Sequence, residues 1–157
     1  MKLAGVALML MTASLMAQEK AFDYHSAAEL QKATQQVMAK AVAAAGGSAT
    51  EKIAESDDHA ITVAARVKSG SPEVHDHLTD VITVTGGQAT LVIGGTVVGK
   101  VAAAGKGPGE WGGTDITGGT VQMVKKGDII SIPAGTPHWI KVAPGDEFSY
   151  INVKVKR

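Results

Sequence analysis

The five histidines of the sequence, His25, His59, His75, His77 and His138, are its clearest candidates for chemistry. The chain has no cysteine, which excludes thiolate nucleophiles, cysteine-ligated zinc, iron–sulfur clusters and redox pairs. A metal ion could therefore be held only by histidine nitrogen or carboxylate oxygen. His25 precedes a helix cap and His59 follows two aspartates in a polar turn, so both are expected to be solvated surface residues.

His75 and His77 have the spacing of two ligands on one side of an extended strand. Residues i and i+2 of a strand point to the same face, so both imidazoles could reach one metal ion. His138 strengthens this interpretation, because alternation places it on the apolar face of Ile140 and Val142. A buried imidazole needs a partner, and a metal ion shared with the other two rings would supply one.

Asp80 is a candidate fourth ligand. It shares a strand face with Ile82 and Val84, and a carboxylate on an apolar face is costly unless it is paired or bound to a cation. Its offset of three residues from His77 requires the chain to bend at residues 78–79. The alternative is that Asp80 caps this bend, since aspartate is favoured in turns.

One helix is expected ahead of the strands. Residues 26–29, Ser-Ala-Ala-Glu, have the form of a capping box, and Gly46-Gly47 ends the helical pattern. The apolar residues of one helical face are Leu30, Val37, Ala41 and Ala45.

From Thr50 onward, apolar and polar residues alternate with period two, which predicts short strands with one buried and one solvated face. The predicted buried positions are Ile61, Val63, Ala65 and Val67, then Ile82 and Val84, then Ile151, Val153 and Val155. Arg66, Asn152 and Lys154 alternate onto the solvated faces. Glycine pairs, including Gly86-Gly87, mark turns, and the glycine-rich segment 94–119 is interpreted as a long loop. Short strands at this spacing are typical of a sandwich or a small barrel.

The composition is that of one globular domain of 157 residues, with a net charge of zero. Neutral charge without a basic stripe argues against nucleic-acid binding. Residues 1–17 have the features of a secretion signal, namely Lys2, an apolar run over 3–11 and a small-residue exit at Ala17. The run is shorter than the roughly 20 residues that span a bilayer, so we expect cleavage, export and no stable membrane insertion.

A glycine, five residues and then Pro-x-Gly-x-x-His occur without a gap over 127–138, Gly-Asp-Ile-Ile-Ser-Ile-Pro-Ala-Gly-Thr-Pro-His. A second pattern, His-x-His followed by an acidic residue and a closing glycine, is formed by His75, His77, Asp80 and Gly87. In both patterns the chain resembles the cupin superfamily, over about residues 60–155. The resemblance implies an all-β cupin barrel, a double-stranded β-helix or jelly roll, at residues 50–157, with an N-terminal helical extension at 18–49.

The resemblance also implies that His75, His77 and His138, with Asp80, bind one divalent transition metal ion, either Fe, Mn, Ni, Cu or Zn. It further implies a homodimer formed through an edge strand, because open edges invite pairing. Two functions stay open at this point. One is a metal-dependent enzyme of the oxygenase or isomerase type that acts on a small polar metabolite. The other is a non-catalytic barrel that binds a small molecule or is structural.

Overall fold

The computed structural model describes residues 22–157, so the predicted signal peptide at 1–17 lies outside the described residues. The described part contains one helix and twelve strands. They are α1 (Ala27–Ala43), β1 (Ser48–Glu55), β2 (His59–Arg66), β3 (Glu73–His75), β4 (Leu78–Ile93), β5 (Thr96–Val98), β6 (Val101–Ala102), β7 (Glu110–Gly112), β8 (Asp115–Thr117), β9 (Thr120–Lys125), β10 (Ile129–Ile132), β11 (His138–Lys141) and β12 (Phe148–Lys156). Its helix falls short of the length and apolarity that a membrane span requires.

α1 begins with the predicted capping box. The backbone N–H of Ser26 donates to Glu29 Oε2 at 2.8 Å, and the Glu29 N–H donates to Ser26 Oγ at 3.3 Å. These bonds satisfy two N–H groups that a helix start leaves without partners. Further along the helix, Val37 and Ala41 are fully buried in a small core of their own with Val63 and Ala65 of β2. The helix therefore covers the outer face of the sheet.

The main sheet is antiparallel, and its strands lie in the order β1-β2-β12-β4-β11-β3-β7-β6. β9 and β10 also pair with β4. The 16 residues of β4 contribute to both halves of the curled sheet, because residues 78–87 pair with β12 and residues 88–93 pair with β9. The expected all-β architecture with one N-terminal helix is confirmed.

The strand β4 bends at Gly86 and Gly87. Gly87 has a φ of +69°, and a Cβ atom at this position would overlap the backbone carbonyl of Glu147. Only glycine fits such a position, because it has neither the Cβ nor the penalty for a positive φ. The glycine pair predicted to mark a turn is thus a corner inside one continuous strand.

The glycine-rich segment 94–119 is not a long loop. It contains four short strands, with β5 paired to β8 and β6 paired to β7. β7 also pairs with β3, so this segment adds to the main sheet next to His75. Backbone hydrogen bonds between the short strands hold the segment where sequence periodicity was too weak to indicate strands.

The predicted solvated faces of β2 and β12 were assigned wrongly. Val63, Ala65 and Ile151 pack beneath α1, so their strand faces look outward onto the helix. The polar faces then look inward, and Arg66, Asn152 and Lys154 line an internal cavity. Alternation correctly separated the two faces of each strand. It did not show which face is solvated, because α1 covers the apolar face and the polar face lines the cavity.

Candidate metal centre

Four neighbouring strands carry the ionisable side chains of the site. β3 supplies Glu73 and His75, β4 supplies Asp80, and β11 begins at His138. Antiparallel pairing places His138 opposite Glu73 and Asp80 opposite Lys154 of β12. The register of the sheet therefore brings these side chains to one end of the barrel interior.

Two imidazole nitrogens and two carboxylate oxygens converge at this end. Asp80 Oδ2 lies 3.5 Å from His75 Nε2 and 3.7 Å from His138 Nε2. Glu73 Oε2 lies 3.8 Å and 3.9 Å from the same two nitrogens. His75, Asp80 and His138 are all buried, whereas the Glu73 side chain is partly exposed. Nitrogen and oxygen donors grouped in this way are what divalent transition metals bind.

His138 is oriented by the loop that precedes it. Its Nδ1 lies 3.1 Å from the carbonyl oxygen of Thr136, which can only accept, so Nδ1 carries the proton and donates. The Nε2 lone pair is left for the cluster. Burial lowers the pKa of His138, outweighing the opposing effects of the Thr136 carbonyl and the Asp80 carboxylate. The ring is therefore neutral at pH 7, the form that binds metal.

His75 is oriented by Glu110, the first residue of β7. The Nδ1 of His75 lies 2.7 Å from Glu110 Oε2, and the carboxylate accepts a hydrogen bond from the Nδ1–H group. A carboxylate behind a ligating histidine fixes the ring and raises its basicity as a ligand. His75 Nε2, like that of His138, therefore faces the cluster as an acceptor. The two rings lie 5.1 Å apart between centroids.

Lys154 places its ammonium group inside the cluster. Its Nζ donates to Asp80 Oδ1 at 2.8 Å and to Oδ2 at 3.1 Å, and it lies 3.0 Å from His75 Nε2. The ammonium thus neutralises a carboxylate that is only 3% exposed. A buried charge requires such a partner or a metal ion.

The cluster opens into a cavity of about 390 Å³, a size suited to a small molecule. Trp111 contributes an aromatic wall, while Arg66, Tyr150 and Asn152 contribute polar groups. The loop around Lys106 closes part of the rim. Burial would lower the pKa of Arg66, but Tyr150 and the Glu73 carboxylate raise it on balance, so the guanidinium stays charged.

The structure brings together three of the four metal ligands expected from sequence, His75, Asp80 and His138. His77 lies outside this cluster, because β3 ends at His75 and the chain bends at Asp76 and His77. The bend lies two residues earlier than predicted. His77 is consequently exposed, does not line the cavity, and has its ring beside Gly109.

Asp80 does not cap the bend, since it is the third residue of β4 and pairs with Lys154. The sequence patterns did not identify Glu73, Glu110, Arg66 and Lys154 as site residues. Glu73 could have been found, because it precedes His75 by two residues and so shares its strand face. Glu110 comes from a segment without periodicity, and no pattern pointed to its pairing with His75.

No protein-family model matches the chain, and neither does any curated protein. Solved structures do match. A protein with a double-stranded β-helix domain from Klebsiella pneumoniae is 19% identical, with TM-score 0.50 over 72% of this chain and 80% of the other. The Cnp3 cupin domain of Schizosaccharomyces pombe is 10% identical, with TM-score 0.52 over 70% of this chain and 65% of the other.

The polyketide cyclase RemF from Streptomyces resistomycificus is 20% identical, with TM-score 0.49 over 69% of this chain. The chain spans 64% of the length of RemF, and so less than two thirds of that protein and of the Cnp3 domain. The likeness to the first two structures decides the fold. The chain has the cupin-type double-stranded β-helix fold.

Within this cupin barrel, the residues present fit a divalent transition metal ion. Glu73, His75 and His138 offer ligand atoms that all lie within 4.8 Å of one another, and Asp80 is in reach of both imidazoles. Both rings expose Nε2 with the other nitrogen already bonded, as ligating histidines require. A bound metal ion would need Asp80 and His75 as ligands, and the Lys154 ammonium group already forms hydrogen bonds with both.

Proposed function

We propose that this protein is a metal-binding cupin that holds one divalent transition metal ion, either Fe, Mn, Ni, Cu or Zn. The ligands would be His75 and His138, with carboxylate oxygens from Glu73 and Asp80. Support comes from the convergence of these donors, whose imidazole–carboxylate distances are all 3.5–3.9 Å. The assignment of His77 to the ligand set stays a prediction from sequence.

We further propose that the protein is an enzyme of the oxygenase or isomerase type acting on a small polar metabolite. The ion would supply Lewis acidity or redox chemistry when bound. The chain would hold the substrate in the cavity, between the Trp111 ring and the polar wall formed by Tyr150 and Asn152. Glu110 and the Thr136 carbonyl would keep both histidine rings in one orientation during turnover.

A second candidate is a non-catalytic barrel that binds a small molecule or is structural. One specific observation favours it, because Lys154 already neutralises Asp80 and occupies hydrogen-bonding capacity of His75. The site is thereby electrostatically satisfied without a metal ion. Metal content separates this candidate from the first, and activity on candidate substrates separates an enzyme from a metal-binding carrier.

Elemental analysis of the protein purified from its native compartment without chelator is the first test. We expect about one equivalent of a single transition metal per chain, with the loss of this metal in the His138→Ala variant. His59→Ala is a matched control, since His59 pairs with Asp58 at the surface, away from the cluster. Metal-free protein from a native source that also fails to bind added Fe, Mn, Ni, Cu or Zn would favour the second candidate.

Export and dimerisation also belong to this proposal. Mass spectrometry of protein from the producing cell should show a chain that begins at Gln18 or within a few residues of it, and an intact Met1 form inside the cell would reject export. For the homodimer, β9 pairs only with β4 among the described strands and exposes Val121 and Met123. Sedimentation at micromolar concentration should give a dimer, and a monomer would contradict this expectation.

A further inference from the structure

Arg66 is a charged residue of the cavity that the proposed metal chemistry does not use. Among residues 22–157, its guanidinium has no carboxylate within ion-pairing distance, and its Nε is buried without a hydrogen-bond partner. The guanidinium packs on Gly70, where a Cβ would come within 2.6 Å of Arg66 Nη1. Glycine at position 70 therefore leaves space for a guanidinium that has no ion pair among the described residues.

Most other charged residues of the cavity wall have partners near the metal centre, whereas Lys106 lies at the rim. Lys154 pairs with Asp80 at 2.8 Å, and Glu110 pairs with His75 at 2.7 Å. Glu73 lies within 4 Å of both cluster imidazoles. Arg66 interacts electrostatically with Tyr150 and Glu73, but among the described residues it has no carboxylate at ion-pairing distance. Leaving a half-buried guanidinium without one costs free energy.

The wall between Arg66 and the metal centre carries polar groups beside Ala64. Pairing of β2 with β12 places Thr62 beside Asn152, Ala64 beside Tyr150, and Arg66 one inward position further along. The Asn152 Oδ1 atom is buried and has no hydrogen-bond partner among the described residues. A bound molecule that donates to the wall at Asn152 and is anionic at Arg66 would satisfy both groups.

We infer that Arg66 is the anion-binding residue of this cavity and that its ligand is a small molecule with a carboxylate or phosphate group. The planar guanidinium matches the geometry of both anions and binds them through paired hydrogen bonds. A volume of about 390 Å³ limits the ligand to the size of a small metabolite. The inference rests on the proposed function only in taking this cavity as the substrate site.

Isothermal titration of the full chain with succinate, inorganic phosphate and neutral succinamide tests the inference. The titrations are done on metal-free protein and on protein loaded with Zn²⁺. We expect at least one anion to bind more tightly than succinamide, and Arg66→Gln to weaken that binding roughly 10-fold to 100-fold. Preference for succinate or for phosphate would distinguish the two anion classes.

Arg157→Gln is the matched control, because Arg157 is the only other arginine and does not line the cavity. It should bind the anions as the unchanged protein does. Arg66→Lys keeps the charge but not the planar fork, so an intermediate loss is expected even if Arg66→Gln does not fold. Circular dichroism of each variant reports whether it has folded.

Equal affinity of Arg66→Gln and the unchanged protein would overturn the inference, as would binding of succinamide equal to that of both anions. Arg66-dependent anion binding by metal-free protein supports it even if the chain takes up no metal. Uptake of one metal ion without any anion binding would overturn the inference alone and leave the metal proposal standing.

Discussion

Lys154 Nζ lies 2.8 Å from Asp80 Oδ1, and it donates to the same carboxylate and the same imidazole, His75, that a metal ion would need. The register of β12 on β4 sets this contact, because Lys154 and Asp80 are directly paired residues of neighbouring strands. The chain's own cation and a bound metal ion would therefore compete for one set of donors.

Replacing Lys154 by methionine should strengthen metal binding. The change removes the competing ammonium and leaves the buried Asp80 carboxylate without a counter-charge. We expect the metal-free variant to lose about 2 kcal/mol of stability, less than for a fully buried pair because the Lys154 side chain is 28% exposed. Zinc affinity, measured by competition with a chelator, should rise roughly 10-fold or more.

Lys156→Met is the control for this change, since Lys156 is an exposed residue of the same strand. It should leave both stability and zinc affinity unchanged. The difference in melting temperature between zinc-loaded and metal-free protein should be larger in Lys154→Met than in either other protein. A smaller difference would mean that Lys154 does not compete with metal.

Alanine at each histidine separates the sequence prediction from the position found in the structure. His75→Ala and His138→Ala should each remove most of the bound metal, because each deletes a donor that faces the cluster. His77→Ala should retain it, because His77 is exposed in the bend. Metal content by mass spectrometry decides the question, and loss of metal in His77→Ala would restore His77 to the ligand set.

Asp80→Asn extends the same comparison to the carboxylates. We expect a loss of metal affinity close to that of a histidine variant, because Asp80 Oδ2 is near both imidazoles. Full metal occupancy in this variant would instead reduce Asp80 to the partner of Lys154.

Glu110→Gln probes the group behind His75. The amide nearly preserves shape but removes the charge that holds the His75 ring through a 2.7 Å hydrogen bond. Loss of such outer partners typically weakens metal binding about 10-fold to 100-fold. Zinc competition should show this weakening, while Glu51→Gln at the exposed Lys40 pair should not change affinity. Unchanged affinity in Glu110→Gln would show that Glu110 has no influence on the site.

More of the fold than of the site could be predicted from the sequence. Alternation around Ile82, Ile140 and His138 identified the inward faces of β4 and β11, because those strands have apolar barrel interiors on one side. The same rule failed for Arg66 and Lys154, whose strands are covered by α1 on their apolar side. Local pattern separates the two faces of a strand, but what covers each face depends on contacts distant in sequence.

The corner of β4 can be tested with two glycines. Gly87→Ala should destabilise the protein by more than the 1–2 kcal/mol typical of a positive φ, because the new Cβ would overlap the Glu147 carbonyl. Gly118→Ala has a similar φ of +72° but open space around it, so only the smaller cost is expected. Urea unfolding of both variants measures the difference. Equal losses would show that the strand can bend without glycine at position 87.

Burial of neutral His138 makes the metal-free protein sensitive to acid. Its pKa is lowered in the folded state by burial, whereas in the unfolded chain it stays near 6.5. Between these two values the unfolded chain binds a proton that the folded protein does not, so stability falls as the pH drops below about 6.5. Below the folded pKa the contribution becomes constant.

Urea unfolding between pH 8 and pH 5, on protein from which metal has been removed with a chelator, measures this effect. Glu73, His75, Asp80 and Lys154 are ionisable groups that face His138 from neighbouring strands, so the quantity to compare is the difference in unfolding free energy between the unchanged protein and His138→Gln. This difference should shrink as the pH falls through the histidine range, because only the unchanged protein keeps a neutral imidazole at that position. His59→Gln, at the surface, should track the unchanged protein at every pH. A difference that grows towards acid would mean that folding favours the charged form of His138, contrary to its burial.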